Sequence, residues 1–309
     1  MIIPYKADLD LQKIPFVTLL IIIVCVYIYF LQEQNETKFV EQTQQYCSDA
    51  NARDFRYALK HMTELSSCTQ FMLKVRLSKQ RERIAIKELV RESVSKAAQP
   101  ILGGEAYIYD ILTKHYQHYR SQVPLEYLTD KLKYVPDSWN TLTMISSVFT
   151  HGSWGHVIGN LFFFLAFAAT LEIMLGPLWF IFVVLALAVG TNTVYSISAL
   201  YQTNPLPTVG LSGVVMGMMG LFVYFLPRTN IRVFVWLIIF YKRLSIPAWA
   251  LVGTYFMLDM YQLAKGDMQG VNLIAHVSGA MIGFLIGVTM FREKKRKLKI
   301  LMRQHNAPR

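Results

Sequence analysis

Apolar residues in this chain gather into long runs, with polar residues collected in the stretches between them. Six runs approach the roughly 20 residues that cross a hydrocarbon core of about 30 Å, near residues 14–31, 155–175, 178–200, 210–227, 246–263 and 272–291. Each predicts a spanning helix, because a helix satisfies its own backbone hydrogen bonds in lipid. Between the first two runs the pattern changes. From 33 to 138, charges of both signs are interspersed and apolar residues recur at helical spacing, as in Phe55, Ala58, Leu59, Met62 and Leu65. That stretch predicts a small helical domain outside the membrane, with its best internal break at Pro100-Ile101-Leu102-Gly103-Gly104 and a return to the membrane at Val135-Pro136-Asp137. Ile231 to Tyr241 is apolar but only about half a span. Bounded by Arg232, Lys242 and Arg243, it is expected to be an interfacial or re-entrant piece before Ile246-Pro247-Ala248 opens the fifth span.

Composition agrees with a polytopic membrane protein of all-α class: 53% of the 309 residues are hydrophobic and only 17% charged. The expected organisation is a terminus and first span over 1–32, an extramembrane domain over 33–138, a catalytic bundle over 139–292 and a basic tail over 293–309. The first run lacks a small-x-small cleavage site and reads as a permanent anchor. Orientation follows from positive residues, which stay on the cytoplasmic side. Arg292, Lys294, Lys295, Arg296, Lys297, Lys299 and Arg303 crowd after the last span, Arg228, Arg232, Lys242 and Arg243 lie between the fourth and fifth, and Lys6 and Lys13 precede the first. Both termini are therefore expected in the cytoplasm, with 33–138 outside. The net charge of +11 is accounted for by this topology and calls for no nucleic acid, although the tail can also grip anionic lipid. Cys47 and Cys68 fall in the outer domain, where a bridge is feasible if the compartment is oxidising; Cys25 lies in the first span. Spacing alone does not bring the pair within bonding distance.

Ionisable and polar side chains inside spans point to function. Ser212 stands in Gly210-Leu211-Ser212-Gly213 at the head of the fourth span, and His276 in Ala275-His276-Val277-Ser278-Gly279 at the head of the sixth. In the expected topology both lie at similar, outer depth. A serine hydroxyl becomes a nucleophile when a base accepts its proton, which an imidazole does near neutral pH. Gly279, Gly283 and Gly287 follow His276 close to its own helix face, and Gly213, Gly217 and Gly220 follow Ser212, so the two spans can pack through a small-residue seam. His156 and Asn160, four apart at the outer end of the second span, share a face and offer donors for a developing oxyanion. His151 reads as an interfacial or bridging residue. Glu172 is a membrane thickness from the serine and reads as structural, whereas Asp259 is nearer but is weighed as water-facing or helix-bonding, leaving a serine and histidine dyad. The glycines around Ser212 favour a small substrate residue before the cut. No ligand acid accompanies the histidines, so no metal is expected.

Taken together, His-x4-His-x3-Asn at 151–160, Glu172 with Gly176, Gly-x-Ser-Gly at 210–213 and Ala-His-x2-Gly-x3-Gly at 275–283 resemble the rhomboid intramembrane serine proteases over about 139–292. The resemblance implies a six-helix bundle with Ser212 as nucleophile and His276 as base. It further implies an oxyanion site of His156, Asn160 and the Ser212 backbone N–H, with His151, Glu172, Gly176, Gly210, Gly213, Gly279 and Gly283 as structural motif positions. It implies cleavage of single-spanning membrane proteins in or near their transmembrane segment, without a cofactor. The chain departs from many members at Met216, where an aromatic often packs on the histidine, at Trp139-Asn140, where they carry Trp-Arg, and in its enlarged first loop. The expected partners are such substrates and the bilayer, and the outer domain can recruit substrate, contact a further partner or cover the site. The expected location is a bacterial plasma membrane, with the active site near its outer face. A catalytically silent rhomboid-like protein that binds membrane clients is the alternative, and a transporter lacks the second site or inverted repeat it would need.

Overall fold

The computed structural model describes residues 2–7, 13–49, 53–62, 67–78, 82–95, 104–124, 126–202, 205–237, 240–266 and 271–305. Two compact units emerge, one of residues 1–30 with 129–309 and the other of 31–128. The elements in chain order are β1 (Ile2–Ala7), α1 (Phe16–Asp49), α2 (Arg53–Lys60), α3 (Cys68–Arg76), α4 (Glu82–Ser95), α5 (Gly104–Gln122), α6 (Leu128–Leu132), α7 (Thr141–Phe149), α8 (Trp154–Leu175) and α9 (Pro177–Ala199). They continue with α10 (Ser212–Phe225), β2 (Asn230–Leu237), β3 (Phe240–Pro247), α11 (Ala248–Lys265), α12 (Leu273–Met290) and α13 (Arg292–His305).

In the smaller unit, the second half of α1 and α2 to α5 bury one face each. Phe39, Phe55, Phe71, Met72, Val90, Leu112, Tyr116 and Tyr119 form its core. Phe55, Ala58, Leu59 and Met62 are buried as their spacing predicts, while Leu65 and the break at 100–103 lie outside the described residues. Cys47 and Cys68 are bridged, with Cα atoms 5.7 Å apart. The larger unit is joined earlier than residue 139, because Tyr134 pairs with Thr208 through the backbone and its hydroxyl bonds Ser196.

Among the described residues, four helices are long and apolar enough to cross a membrane: α1, α8, α9 and α12. Their outward faces carry exposed Ile158, Phe162, Phe182, Leu185, Phe284 and Leu285, a surface that suits lipid and not water. Four such helices with lipid-compatible outer surfaces mark an integral membrane protein. The other two expected spans are less regular. α10 has 14 residues, about 21 Å of helix, yet every residue from Gly213 to Phe225 except Val223 is buried, so it forms the centre of the bundle. α11 carries Asp259 and Lys265 and does not reach the apolarity of the other four.

Glu172 reaches the opening of α1. Buried at the end of α8, its carboxylate accepts from the Val17 N–H (2.9 Å), the Thr18 N–H (2.7 Å) and the Thr18 hydroxyl (2.7 Å), capping the orphan donors of the first turn of α1. Gly176 then turns the chain from α8 into α9 with φ +84°, a conformation that a β-carbon disfavours, and Pro177 opens α9.

The all-α expectation needs one correction. Ile231 to Tyr241, expected to be an interfacial or re-entrant piece of an all-α chain, is built of strand. It supplies β2 and the start of β3, an antiparallel hairpin with Asn230 opposite Pro247 and Leu237 opposite Phe240. β1 completes a three-stranded sheet on the other edge of β2, with Ala7 opposite Ile231 and Ile3 opposite Phe234. The local reason is visible at the start of β2, where Ile231 and Val233 are buried and Arg232 is exposed, a two-residue period carried by β-branched residues.

Candidate active site

The heads of α8, α10 and α12 converge on a cavity of about 390 Å³, lined by His156, Asn160, Ser212 and His276 together with Tyr195, Thr208, Asn272 and others. Each head is set locally. Ser153 caps α8 by accepting from the His156 N–H at 3.2 Å, placing His156 in the first turn and Asn160 one turn on. Asn272 caps α12, its Oδ1 accepting from the Ala275 N–H at 3.0 Å, which fixes the start of the helix that carries His276. Asn272 is a site residue that the sequence reading did not single out, although an Asn just before an apolar run is a recognisable cap signal. Tyr195, also missed, donates its hydroxyl to the Leu206 carbonyl at 2.6 Å and ties the 205–211 segment to α9.

Ser212 is the first residue of α10, where backbone N–H groups of the opening turn have no acceptor within the helix. Gly210 shapes the approach. Its φ is +118°, and a β-carbon there would lie 2.7 Å from Cε1 and 2.8 Å from Nε2 of His156 and 3.6 Å from Nδ2 of Asn160. The bare backbone therefore lets the imidazole and the amide close in beside the serine. Nδ2 of Asn160 and Nε2 of His276 are buried and have no hydrogen-bond partner among the described residues.

α10 and α12 approach backbone to backbone. A β-carbon on Gly283 would lie 1.9 Å from the Gly217 carbonyl oxygen, one on Gly279 2.3 Å from that of Gly213, and one on Gly220 2.1 Å from that of Ala280. A β-carbon on Gly213 would sit 3.4 Å from the carbonyl oxygen of Ala275, the residue before His276. The glycines after Ser212 thus face neighbouring helices, not the cavity: Gly213 meets Thr191, Gly217 meets Leu187 and Gly220 meets α12. That removes the ground for expecting a small substrate residue before the cut.

Two further side chains lie beside these residues. His151 is buried, at 1% exposure. The 150–153 segment folds back so that its Nδ1–H donates to the Phe149 carbonyl at 3.2 Å and its ring meets that of His156 edge-on, centroids 5.1 Å apart. Asp259, expected to be water-facing or helix-bonding, joins two helices: its Oδ2 on α11 lies 3.1 Å from Nδ1 of His276 on α12. An acidic residue in the outer part of a span was its only signal.

Comparison with known proteins gives one match. Residues 138–293, half of the chain, fit the family model described as Rhomboid domain. No curated protein and no solved structure matches the chain.

Proposed function

The chain belongs to the rhomboid family, and on that premise we propose that it is an intramembrane serine protease, cleaving single-spanning membrane proteins in or near their transmembrane segments through Ser212 and His276. The observation that carries this reading is that three buried polar atoms without a partner among the described residues, Nε2 of His276 and Nδ2 of Asn160 and of Asn272, belong to residues that line the same cavity as Ser212. A buried polar atom without a partner costs about 1–3 kcal/mol, and in a cavity of this size water or a substrate can complete the bond.

In this reading Ser212 Oγ attacks the scissile carbonyl while its proton passes to Nε2 of His276. The oxyanion is held by the Asn160 amide, His156 and the Ser212 N–H. His276 then gives the proton to the leaving amine as the C–N bond breaks. Water, deprotonated by the same imidazole, hydrolyses the acyl enzyme and restores the serine. A substrate helix must unwind locally to expose its carbonyl, so helix-breaking residues near the cut are favoured.

Several contacts favour six spans with both termini in the cytoplasm. The sheet joins the amino terminus to the 230–247 hairpin, and Lys294 donates to the Leu175 carbonyl at 2.9 Å, bringing the basic tail to the end of α8. All of these segments then share one side, the side where positive charge gathers. The Cys47–Cys68 bridge fits an oxidising outer compartment for residues 31–128, as in a bacterial plasma membrane facing the periplasm or exterior. α10, about 9 Å shorter than the hydrocarbon core, leaves Ser212 recessed below the outer face, where water reaches it through the cavity.

A fluorophosphonate probe tests the nucleophile. Wild-type protein is expected to carry the label on Ser212, as mass spectrometry of the tryptic peptide would show, and His276→Ala to lose it by about 10²-fold or more in rate. Client binding with neither labelling nor cleavage would establish the silent alternative instead. Gly210→Ala forces His156 aside and strains a positive φ, so turnover of a reporter segment is expected to fall about 10²-fold through the lost oxyanion donor. Unchanged turnover in that variant would remove His156 from the site.

A further inference from the structure

The two nitrogens of His276 have different surroundings. Nε2 is buried and lacks a partner among the described residues, on a side chain that lines the cavity. Nδ1 lies 3.1 Å from Oδ2 of Asp259 on α11, and the two side chains are only 16% and 15% exposed. An ionised carboxylate accepts hydrogen bonds and donates none, so the proton of a neutral His276 sits on Nδ1 and the lone pair on Nε2. That is the tautomer a base needs in order to take a proton from Ser212. The position one turn after Ser212 is Met216, so no aromatic face is available there to fix the ring. Other titratable groups near the pair are Tyr255, one turn before Asp259 on α11, and His156 on α8. Both are neutral or cationic around neutral pH, leaving Asp259 as the anion against His276. An ionised side chain in an apolar segment is expensive unless paired, and the pairing found is with the base.

We propose that Asp259 is a positioning residue, completing a serine, histidine and aspartate relay in which its carboxylate holds His276 in the Nδ1–H tautomer and stabilises the imidazolium formed during attack. This rests on the protease reading of the same site. As Ser212 Oγ bonds to the carbonyl carbon, its proton moves to Nε2. Asp259 takes up no proton and stays ionised throughout. The positive charge on His276 forms against a fixed negative one, and it disperses when the proton passes to the leaving amine.

The test uses the full chain in liposomes, with Asp259→Asn, Asp259→Leu and Asp259→Glu beside wild type and Ser212→Ala. Expected is a fall in kcat of about tenfold to hundredfold for the Asn and Leu variants with KM unchanged, and recovery of most of it in the Glu variant. A merely structural aspartate would not give that split or that rescue. Because a variant can lose activity by failing to fold, ¹⁵N NMR of labelled histidine in the Ser212→Ala background reads the tautomer directly. His276 is expected to be protonated on Nδ1 with Asp259 present, and to shift toward the Nε2–H form in Asp259→Leu. Undiminished kcat in both the Asn and Leu variants, or a tautomer indifferent to the carboxylate, would overturn the proposal. If wild type neither cleaves nor labels, the protease reading fails, and the NMR result still decides what Asp259 does to His276.

Discussion

Ser212→Ala is expected to reduce cleavage of a reporter transmembrane segment by about 10⁴-fold or more, below detection in most assays. The size follows from what is removed. Without Oγ there is no acyl enzyme, and the remaining route is direct attack by a water that His276 would have to orient unaided. The donors at Asn160 and His156 persist, so the residual rate stays above that of the uncatalysed reaction. Folding is expected to be almost untouched. Ser212 is only half-buried at the first position of α10, and a single hydroxyl there should change stability by no more than about 0.5 kcal/mol. Cleavage by the variant at the wild-type rate would reject Ser212 as nucleophile, and pull-down of uncleaved client by the same variant would show that binding survives.

Gly283→Ala is expected to be the most damaging single methyl in the chain. The added carbon would sit 1.9 Å from the Gly217 carbonyl oxygen, well inside contact distance, and the obstacle is backbone that cannot rotate away. α10 and α12 must separate, forfeiting dispersion contacts along the whole seam from Gly213 to Tyr224, at a cost of about 3 kcal/mol. The separation also draws His276 away from Ser212, and a displacement of about 1 Å is enough to cost roughly 10²-fold in rate. Thermal unfolding in detergent and reporter turnover should therefore fall together. Gly253→Ala on α11 is the matched control, since nothing lies within 4 Å of its added carbon. There the same change should be neutral or stabilising by about 0.5–1 kcal/mol through helix propensity. Equal behaviour of the two variants would show that the seam is not tight.

Much of the site was legible because its signals are local. An Asn, a Ser or a glycine at the head of an apolar run marks a helix start, and the spacing of His156 to Asn160 puts them on one face whatever surrounds them. The seam glycines were legible as a seam, since every third or fourth position was small. Their target was not: Gly217 meets Leu187 and Gly220 meets Ala280 only because three helices cross at that point. His151 was legible as a polar residue just before a span, but its burial against the ring of His156 was not. The hairpin had a readable two-residue period in Ile231, Arg232 and Val233, but the apolar length of the stretch invited a membrane reading. Its pairing with Ile2–Ala7, more than two hundred positions earlier, left no trace in either segment.

The sequence by itself determined that this chain is a membrane-embedded member of its family, where its apolar helices lie, and which alcohol and imidazole stand at their heads. These are properties of short segments, dictated by the length of an apolar run and by a few capping and small residues within it. Only the tertiary structure decided that Asp259 faces Nδ1 of His276, that Glu172 caps α1, and that the amino terminus closes a sheet with the 230–247 hairpin. Each of those depends on the rotation of one element against another, and that rotation is set by packing summed over a whole interface, which no single segment encodes.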